Sequence, residues 1–396
     1  MPFAYRNLAL LIGAQLVFVS ASVITVTMGG IVGSELSPTP NLATFPVSLM
    51  ILGTALGTIP ATKIMQAIGR KRGFMGAALT AAFALWLAEI AIQKEDFWLY
   101  CIATATTGIT IAFSAQFRFA AAESVELSKA GLAISLILVG SIGGAIVGPE
   151  LIARGDVVHP NAFIGALKMA SLLFLGASVL LFFLKIEVLQ TAQPSEVDEH
   201  IRPYREIASN PLFLLAVISG TVGYGVMTYV MTATPVSMHL VHGHSVADTA
   251  NVIRAHVLGM YVPSLFSGWL ITRFGERPII AAGLIAYLVT LAAALSGHEI
   301  MHYTAAMVLL GVGWNFMFVG GTTLLVKTYR ASERFKAQGL NEFAVFGTSA
   351  LGSLFAGSLL SLFGWTTVIL STIPALILVG ILLFKYRNLS SEHASE

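Results

Sequence analysis

LGTALGTIPATKIMQAIGRKRGFMGAAL, residues 52–79, reads as an apolar helix that ends in a glycine–arginine turn, with a second apolar helix following at once. LGMYVPSLFSGWLITRFGERPIIAAGL, residues 258–284, repeats that pattern half a chain later. The first stretch carries Gly53 and Gly57, then Gly69, Arg70 and Arg72 at the turn; the second carries Gly259 and Gly268, then Gly275 and Arg277. The repeat extends further. SKAGLAIS (128–135) and FKAQGLNE (335–342) follow the two turns at similar distances. Both halves run in the same sense, so helices spanning a bilayer would form a parallel repeat about an axis along the membrane normal.

Composition puts the chain in a bilayer. Of its 396 residues 56% are hydrophobic and 11% charged, against about 25% charged in soluble proteins. A spanning helix needs about 20 apolar residues. Twelve stretches qualify: 6–33, 44–65, 73–93, 97–122, 130–153, 161–184, 211–236, 250–271, 279–297, 303–326, 337–361 and 365–384. The first lacks a small-residue cleavage site and reads as a retained helix rather than a signal peptide. Arg6, the Arg70–Lys71–Arg72 run, Lys129, Lys185, Arg202, Arg205, Arg273, Arg277, Lys327 and Lys385 fall on one side of this map, and Lys94, Arg154 and Arg254 on the other. The positive-inside rule then predicts cytoplasmic termini in an inner (plasma) membrane. The expected fold is all-α integral membrane, twelve transmembrane helices in two pseudo-symmetric six-helix bundles. Residues 1–184 would form the first bundle, 185–210 a cytoplasmic linker with a short amphipathic helix around Glu196–Ile207, and 211–396 the second bundle. One chain then holds both halves of a pathway and is expected to work as a monomer. A lone cysteine, Cys101, allows no intrachain disulfide, and a net charge of +2 gives no reason to expect a nucleic-acid partner.

The chain resembles the major facilitator superfamily over nearly its whole length. The family's loop between its second and third spans reads Gly-x-x-x-Asp-x-x-Gly-Arg-Lys/Arg. This sequence matches at Gly69, Arg70, Lys71 and Arg72, and again at Gly268, Gly275 and Arg277, but places Gln66 and Thr272 at the acidic position. Gly144-x-x-x-Gly148-Pro149 resembles a second motif, associated with antiporters. The basic motif of the fourth span is missing, with Thr104 at its arginine position, and the first span lacks the acidic residue of many proton-driven exporters. The resemblance implies a rocker-switch transporter whose fourth helices line a central cavity and whose basic loop abuts the start of the eleventh helix.

Several side chains are candidates for that work. Arg70 and Arg72 suit the negative carboxyl end of an inward-running second helix. Glu342, beside Asn341 in the early turns of the eleventh, is expected to replace the loop aspartate and latch Arg70 or Arg72; the plainer reading is a solvated carboxylate. Gly140, Gly144 and Gly148 lie on one helix face and form either a seam between halves, with Pro149 bending the helix, or ordinary small-residue packing. Arg118 lies about 7 Å of helix rise before Glu123. It would hold an anionic substrate group in its fork, or instead snorkel or pair with Glu123 or Glu126. His256 is either a proton-coupling site, as is Glu342, or a buried hydrogen-bonded histidine. Gln15, Gln116, Tyr224, Tyr229, Trp314 and Asn315 would line an apolar pocket with a few polar groups, or tie helices together. His239, His242, His244, His298 and His302 cluster on the outer side and read as a solvated loop rather than a metal site. Glu150 with Arg154 reads as a surface pair, and Glu89 with Lys168 as a mutual pair or snorkelling ends.

These features point to secondary active transport of a small organic solute, anionic or amphipathic, by alternating access, with proton antiport (efflux) favoured by the glycine–proline motif. Import of a nutrient, vitamin or metal chelate is the alternative. A ligand sensor is disfavoured because the chain has no sizeable soluble domain. Catalysis is not expected: the sequence has no Walker A, Gly-x-Ser-x-Gly or His-Glu-x-x-His pattern, and no cofactor is implied.

Overall fold

The computed structural model of the chain describes residues 3–39, 42, 45–185 and 202–389. Every regular element among them is a helix, and eleven are long and apolar enough to cross a membrane. The expected stretch that does not qualify is 250–271. It is broken into α10 (Val246–Tyr261) and α11 (Ser264–Phe274) at Pro263, where a missing N–H and the ring end one helix and start another. Pro60 and Pro149, by contrast, lie inside unbroken helices.

The chain forms two compact units. The first comprises Met1–Val125, Leu136–Leu189 and Gln338–Phe343. It is built on α1 (Phe3–Leu36), α2 (Phe45–Ile68), α3 (Arg70–Gln93), α4 (Phe97–Ser114), α5 (Phe117–Glu123), most of α6 (Ala130–Ala153) and α7 (Ala162–Phe182). Without a hydrophobic drive between helices in lipid, close packing depends on small residues. A Cβ added to Gly57 would lie 3.1 Å from the Ile109 Cα, and Thr54 Oγ1 donates to the Gly108 carbonyl across the same α2–α4 contact at 3.0 Å. Phe18, Phe117 and Phe174 fill the interior edge to face, while Leu56, Ile102, Leu172 and Val179 are exposed, as lipid-facing side chains are.

The second unit comprises Glu126–Ser135, Gln190–Ala337 and Ala344–Glu396. It holds α8 (Tyr204–Ser209), α9 (Pro211–Val236), α10, α11, α12 (Glu276–Leu295), α13 (Ile300–Val326), α14 (Arg334–Leu370) and α15 (Ile373–Lys385). α14 carries a break at Gly364, φ 76°, a left-handed value that suits glycine; it separates the eleventh and twelfth expected spans. The division does not follow chain order: Glu126–Ser135 counts with the second unit and Gln338–Phe343 with the first. Of the polar stretch 185–210, residues 186–201 lie outside the described residues, and with them the first part of the helix expected around Glu196–Ile207. The remainder forms α8, after Arg202 has paired with the buried Glu333 at 2.6 Å.

Candidate functional site

The two basic turns are one backbone shape used twice. Gly69 has φ 84° and ψ 153°, and Gly275 φ 87° and ψ 169°. That region is essentially closed to residues with a Cβ, so each turn needs its glycine to reverse the chain between two long helices. Arg70 therefore opens α3 rather than closing α2, and it is only 4% exposed. Its compensation is a carboxylate rather than a helix dipole. Arg70 Nε donates to Glu123 Oε2 at 2.9 Å and Nη2 to Glu123 Oε1 at 2.6 Å. The same guanidinium donates to Gln116 Oε1 at 3.3 Å and to Gln338 Oε1 at 2.6 Å, and Gln338 Nε2 returns a bond to Glu123 at 3.1 Å. Arg72 is exposed. Arg277, at the second turn, donates to the carbonyls of Arg387 and Leu389.

Glu342 does not latch Arg70 or Arg72, because Glu123 already occupies Arg70's fork. Its partner is Arg118, whose Nη2 donates to Glu342 Oε1, the oxygen that also accepts from Asn341 Nδ2 at 2.7 Å. Glu342 is fully buried, Arg118 is 5% exposed, and Glu342 Oε2 has no hydrogen-bond partner among the described residues. Arg118 thus pairs with neither Glu123 nor Glu126, the alternative to a substrate-binding role. Gln116, expected in the substrate pocket, sits in the Arg70 cluster instead. Two carboxylates, two guanidiniums and three amides are packed out of water within the first unit. Such a cluster holds only while each charge keeps its partner.

Ser135, the residue that the repeat aligns with Glu342, makes only neutral contacts among the described residues, to α11. Ser135 Oγ donates to the Ser264 carbonyl at 2.9 Å, lies 2.7 Å from Ser267 Oγ and accepts from the Gly268 amide at 3.0 Å. The repeat therefore preserves shape but not charge. The glycine stripe faces α1 rather than a seam between halves. A Cβ at Gly140 would lie 2.6 Å from the Ile12 carbonyl oxygen, and one at Gly144 2.7 Å from that of Leu16. Gly148 has Ser20 in the corresponding place at 2.9 Å, and Pro149 continues the same helix. Small-residue packing inside one unit accounts for all three glycines.

Of the pocket candidates, Trp314 and Tyr224 meet in an aromatic wall of the second unit. Tyr224 stands edge-on to Trp314, Phe318 and Phe346 with ring centroids 5.4–5.5 Å apart, Trp314 stacks on Phe318 at 5.1 Å, and Tyr261 abuts Trp314 at 5.8 Å. Asn315 Nδ2 donates to the Met260 carbonyl at 2.8 Å and lies 2.6 Å from Ser264 Oγ, steadying the break before Pro263. Tyr229 hydroxyl lies 3.1 Å from Ser371 Oγ in an open groove of about 370 Å³ lined also by Val226, Thr348 and Phe355. Gln15 donates to Ser141 at 3.0 Å in the first unit. His256 is fully buried with Nδ1 2.7 Å from the Met307 carbonyl oxygen, and its Nε2 has no hydrogen-bond partner among the described residues.

The outer histidines are interlocked rather than merely solvated. His242 and His298 stack at 4.0 Å, His242 Nδ1 lies 3.0 Å from the Tyr303 hydroxyl, and His244 Nε2 lies 2.6 Å from the His298 carbonyl oxygen. Partial desolvation, then the charges of His242 and His302, hold His298 below its ordinary pKa. No group of three metal-ligating side chains occurs among the described residues. Glu150 with Arg154 and Glu89 with Lys168 form ion pairs at 2.5 and 3.4 Å.

Sequence reasoning missed Gln338 and underrated Glu123. The spacing of Gln338, Asn341 and Glu342 was the available signal, since i, i+3 and i+4 share one helix face.

The profile of the Major Facilitator Superfamily matches residues 10–253 and 230–396. The chain is 40% identical to the riboflavin transporter RfnT of Brucella anthropi over 383 residues, 96% of each protein. It is 26% identical to YddS, an uncharacterised MFS-type transporter of Bacillus subtilis, covering 93% of this chain and 88% of that one. Its fold matches the fucose:proton symporter FucP of E. coli with a TM-score of 0.72 over 98% of this chain and 99% of that one, at 15% identity.

Proposed function

The chain belongs to the major facilitator superfamily, and we propose that this multi-pass membrane transporter carries a flavin-type vitamin into the cell by alternating access. The observation that carries the substrate class is 40% identity to a riboflavin transporter across 96% of both chains. Import is preferred to efflux because the glycine–proline motif that favoured antiport is accounted for by packing of α6 on α1.

In this reading the chain works as two six-helix bundles, residues 1–184 and 211–396, and the charged cluster of the first unit is the cytoplasmic gate. Gln338 is held by Arg70 and Glu123, and Glu342, braced by Asn341, is held by Arg118. Opening a route past them requires Gln338, Asn341 and Glu342 to leave these partners together. A proton arriving on Glu342 cancels its attraction for Arg118, which gives the gate a means of proton coupling. Gly69 and Gly275 set the turns that position the basic residues.

A bacterium unable to make riboflavin tests the reading. Expression of the chain should restore growth at external riboflavin too dilute to enter unaided. Failure to restore it, with the protein present in the membrane, contradicts import; a higher riboflavin requirement on expression indicates efflux.

A further inference from the structure

The aromatic wall of the second unit carries a feature that packing does not account for. Trp314 is 2% exposed, yet its indole Nε1 has no acceptor among the described residues. A buried donor left unpaired is costly, and tryptophan N–H groups usually find partners when buried. One residue on, Asn315 presents the opposite chemistry. Its Nδ2 is committed to the Met260 carbonyl, which needs a donor and so fixes the amide orientation, and its Oδ1 has no partner. Asn315 faces the close α10–α13 contact, where a Cβ on Gly311 would lie 2.6 Å from the Met260 nitrogen, so what the wall itself offers is the unused indole donor. Tyr224, Tyr261 and Phe346 of the same wall are half-buried, while Trp314 and Phe318 form a stacked backing behind them.

From this arrangement we infer that Tyr224 and Trp314, with Phe346, form a subsite for a planar heteroaromatic ring bearing a carbonyl on its edge. The electron-rich rings supply a stacking platform of the kind that holds nucleic-acid bases. The indole N–H donates to the ring carbonyl. An isoalloxazine or pterin ring has that pattern; a sugar or fatty acid does not. The inference rests on the flavin reading above and assigns recognition to the ring rather than to the polyol tail.

The test uses the purified full chain in detergent with riboflavin as the probe, since stacking on tyrosine or tryptophan quenches flavin emission. Titration with the chain is expected to quench riboflavin. Lumichrome, the ring without its tail, should compete within about tenfold of riboflavin's own affinity, and ribitol, the tail alone, should not compete. Trp314→Phe keeps a ring but loses the N–H and should weaken binding about tenfold. Tyr224→Leu loses a stacking face and should weaken it roughly 5- to 150-fold, with gel filtration showing that both variants fold. Quenching by the parent with competition by ribitol but not by lumichrome overturns the ring subsite while leaving the transport reading intact. So do two folded variants that bind as the parent does. No riboflavin binding by the parent overturns the flavin reading, and the subsite with it.

Discussion

Replacing Glu342 by glutamine removes the carboxylate that neutralises Arg118 while keeping the shape of the side chain. Arg118 is 5% exposed and Glu342 fully buried, so the guanidinium would lose its carboxylate partner out of water. Breaking a buried pair in this way costs about 3–5 kcal/mol. The cost falls on the conformation in which the two groups meet, so its population relative to an open one drops by about two to nearly four orders of magnitude. Thr62 reports this directly: it is 3% exposed, and its hydroxyl lies 2.8 Å from where a Cβ on Gly339 would stand. With Cys101 replaced by serine, Thr62→Cys gives a single thiol, and maleimide labelling of the purified protein measures how often the Gln338–Phe343 segment departs. Labelling should be slow in the parent and at least 100-fold faster with Glu342→Gln (about 3 kcal/mol). Arg118→Gln should act similarly at neutral pH but less in acid, because an orphaned Glu342 can shed its charge by taking a proton, whereas arginine cannot. The double exchange Arg118→Glu with Glu342→Arg should recover most of the slow rate. Equal labelling in parent and single variants, or no recovery in the double exchange, refutes the reasoning.

Other expectations follow from the same geometry. Arg70→Lys keeps the charge but loses the two-pronged hold on Glu123, and should lower the melting temperature in detergent by several degrees, corresponding to about 2–3 kcal/mol. Gly144→Ala places a methyl 2.7 Å from the Leu16 carbonyl oxygen and should destabilise by about 1–3 kcal/mol, whereas Gly76→Ala, with nothing within 4 Å inside α3, should leave the melting temperature the same or raise it. His298 has a lowered folded-state pKa, so the unfolded chain binds its proton first as pH falls. Its effect on stability is nil above about pH 6.5, and stability declines on acidification below that. Thermal melts between pH 7.5 and 5 should show a smaller decline in His298→Phe than in the parent, with His242, His244, His302 and Glu299 left in place.

The helices were legible because a run of about 20 apolar residues in this composition admits few other readings. The turns were legible because a glycine followed by arginine twice interrupts such runs, and both glycines prove to need φ near 85°. Pairings were not legible to the same degree. Arg70, Arg118, Glu123 and Glu342 could each be recognised as too charged for their surroundings. Which carboxylate meets which guanidinium depends on contacts 53 to 224 residues apart in sequence, and no local periodicity encodes these. The glycine stripe shows the same limit: its spacing announces a close helix contact, yet only the fold names α1 as the partner. Pro263 interrupts the hydrogen bonding of the eighth span while Val262 and Pro263 both keep helical dihedrals, and neither piece alone is long enough to cross a membrane.

The account turns on transport of a flavin through this chain, and the most direct measurement is flux of labelled riboflavin into proteoliposomes containing the purified protein. The account predicts saturable uptake above empty liposomes, suppressed by unlabelled riboflavin and lumichrome and increased when protons flow in the direction of the solute. Uptake no greater than in empty liposomes, from protein that is folded and correctly inserted, would contradict it.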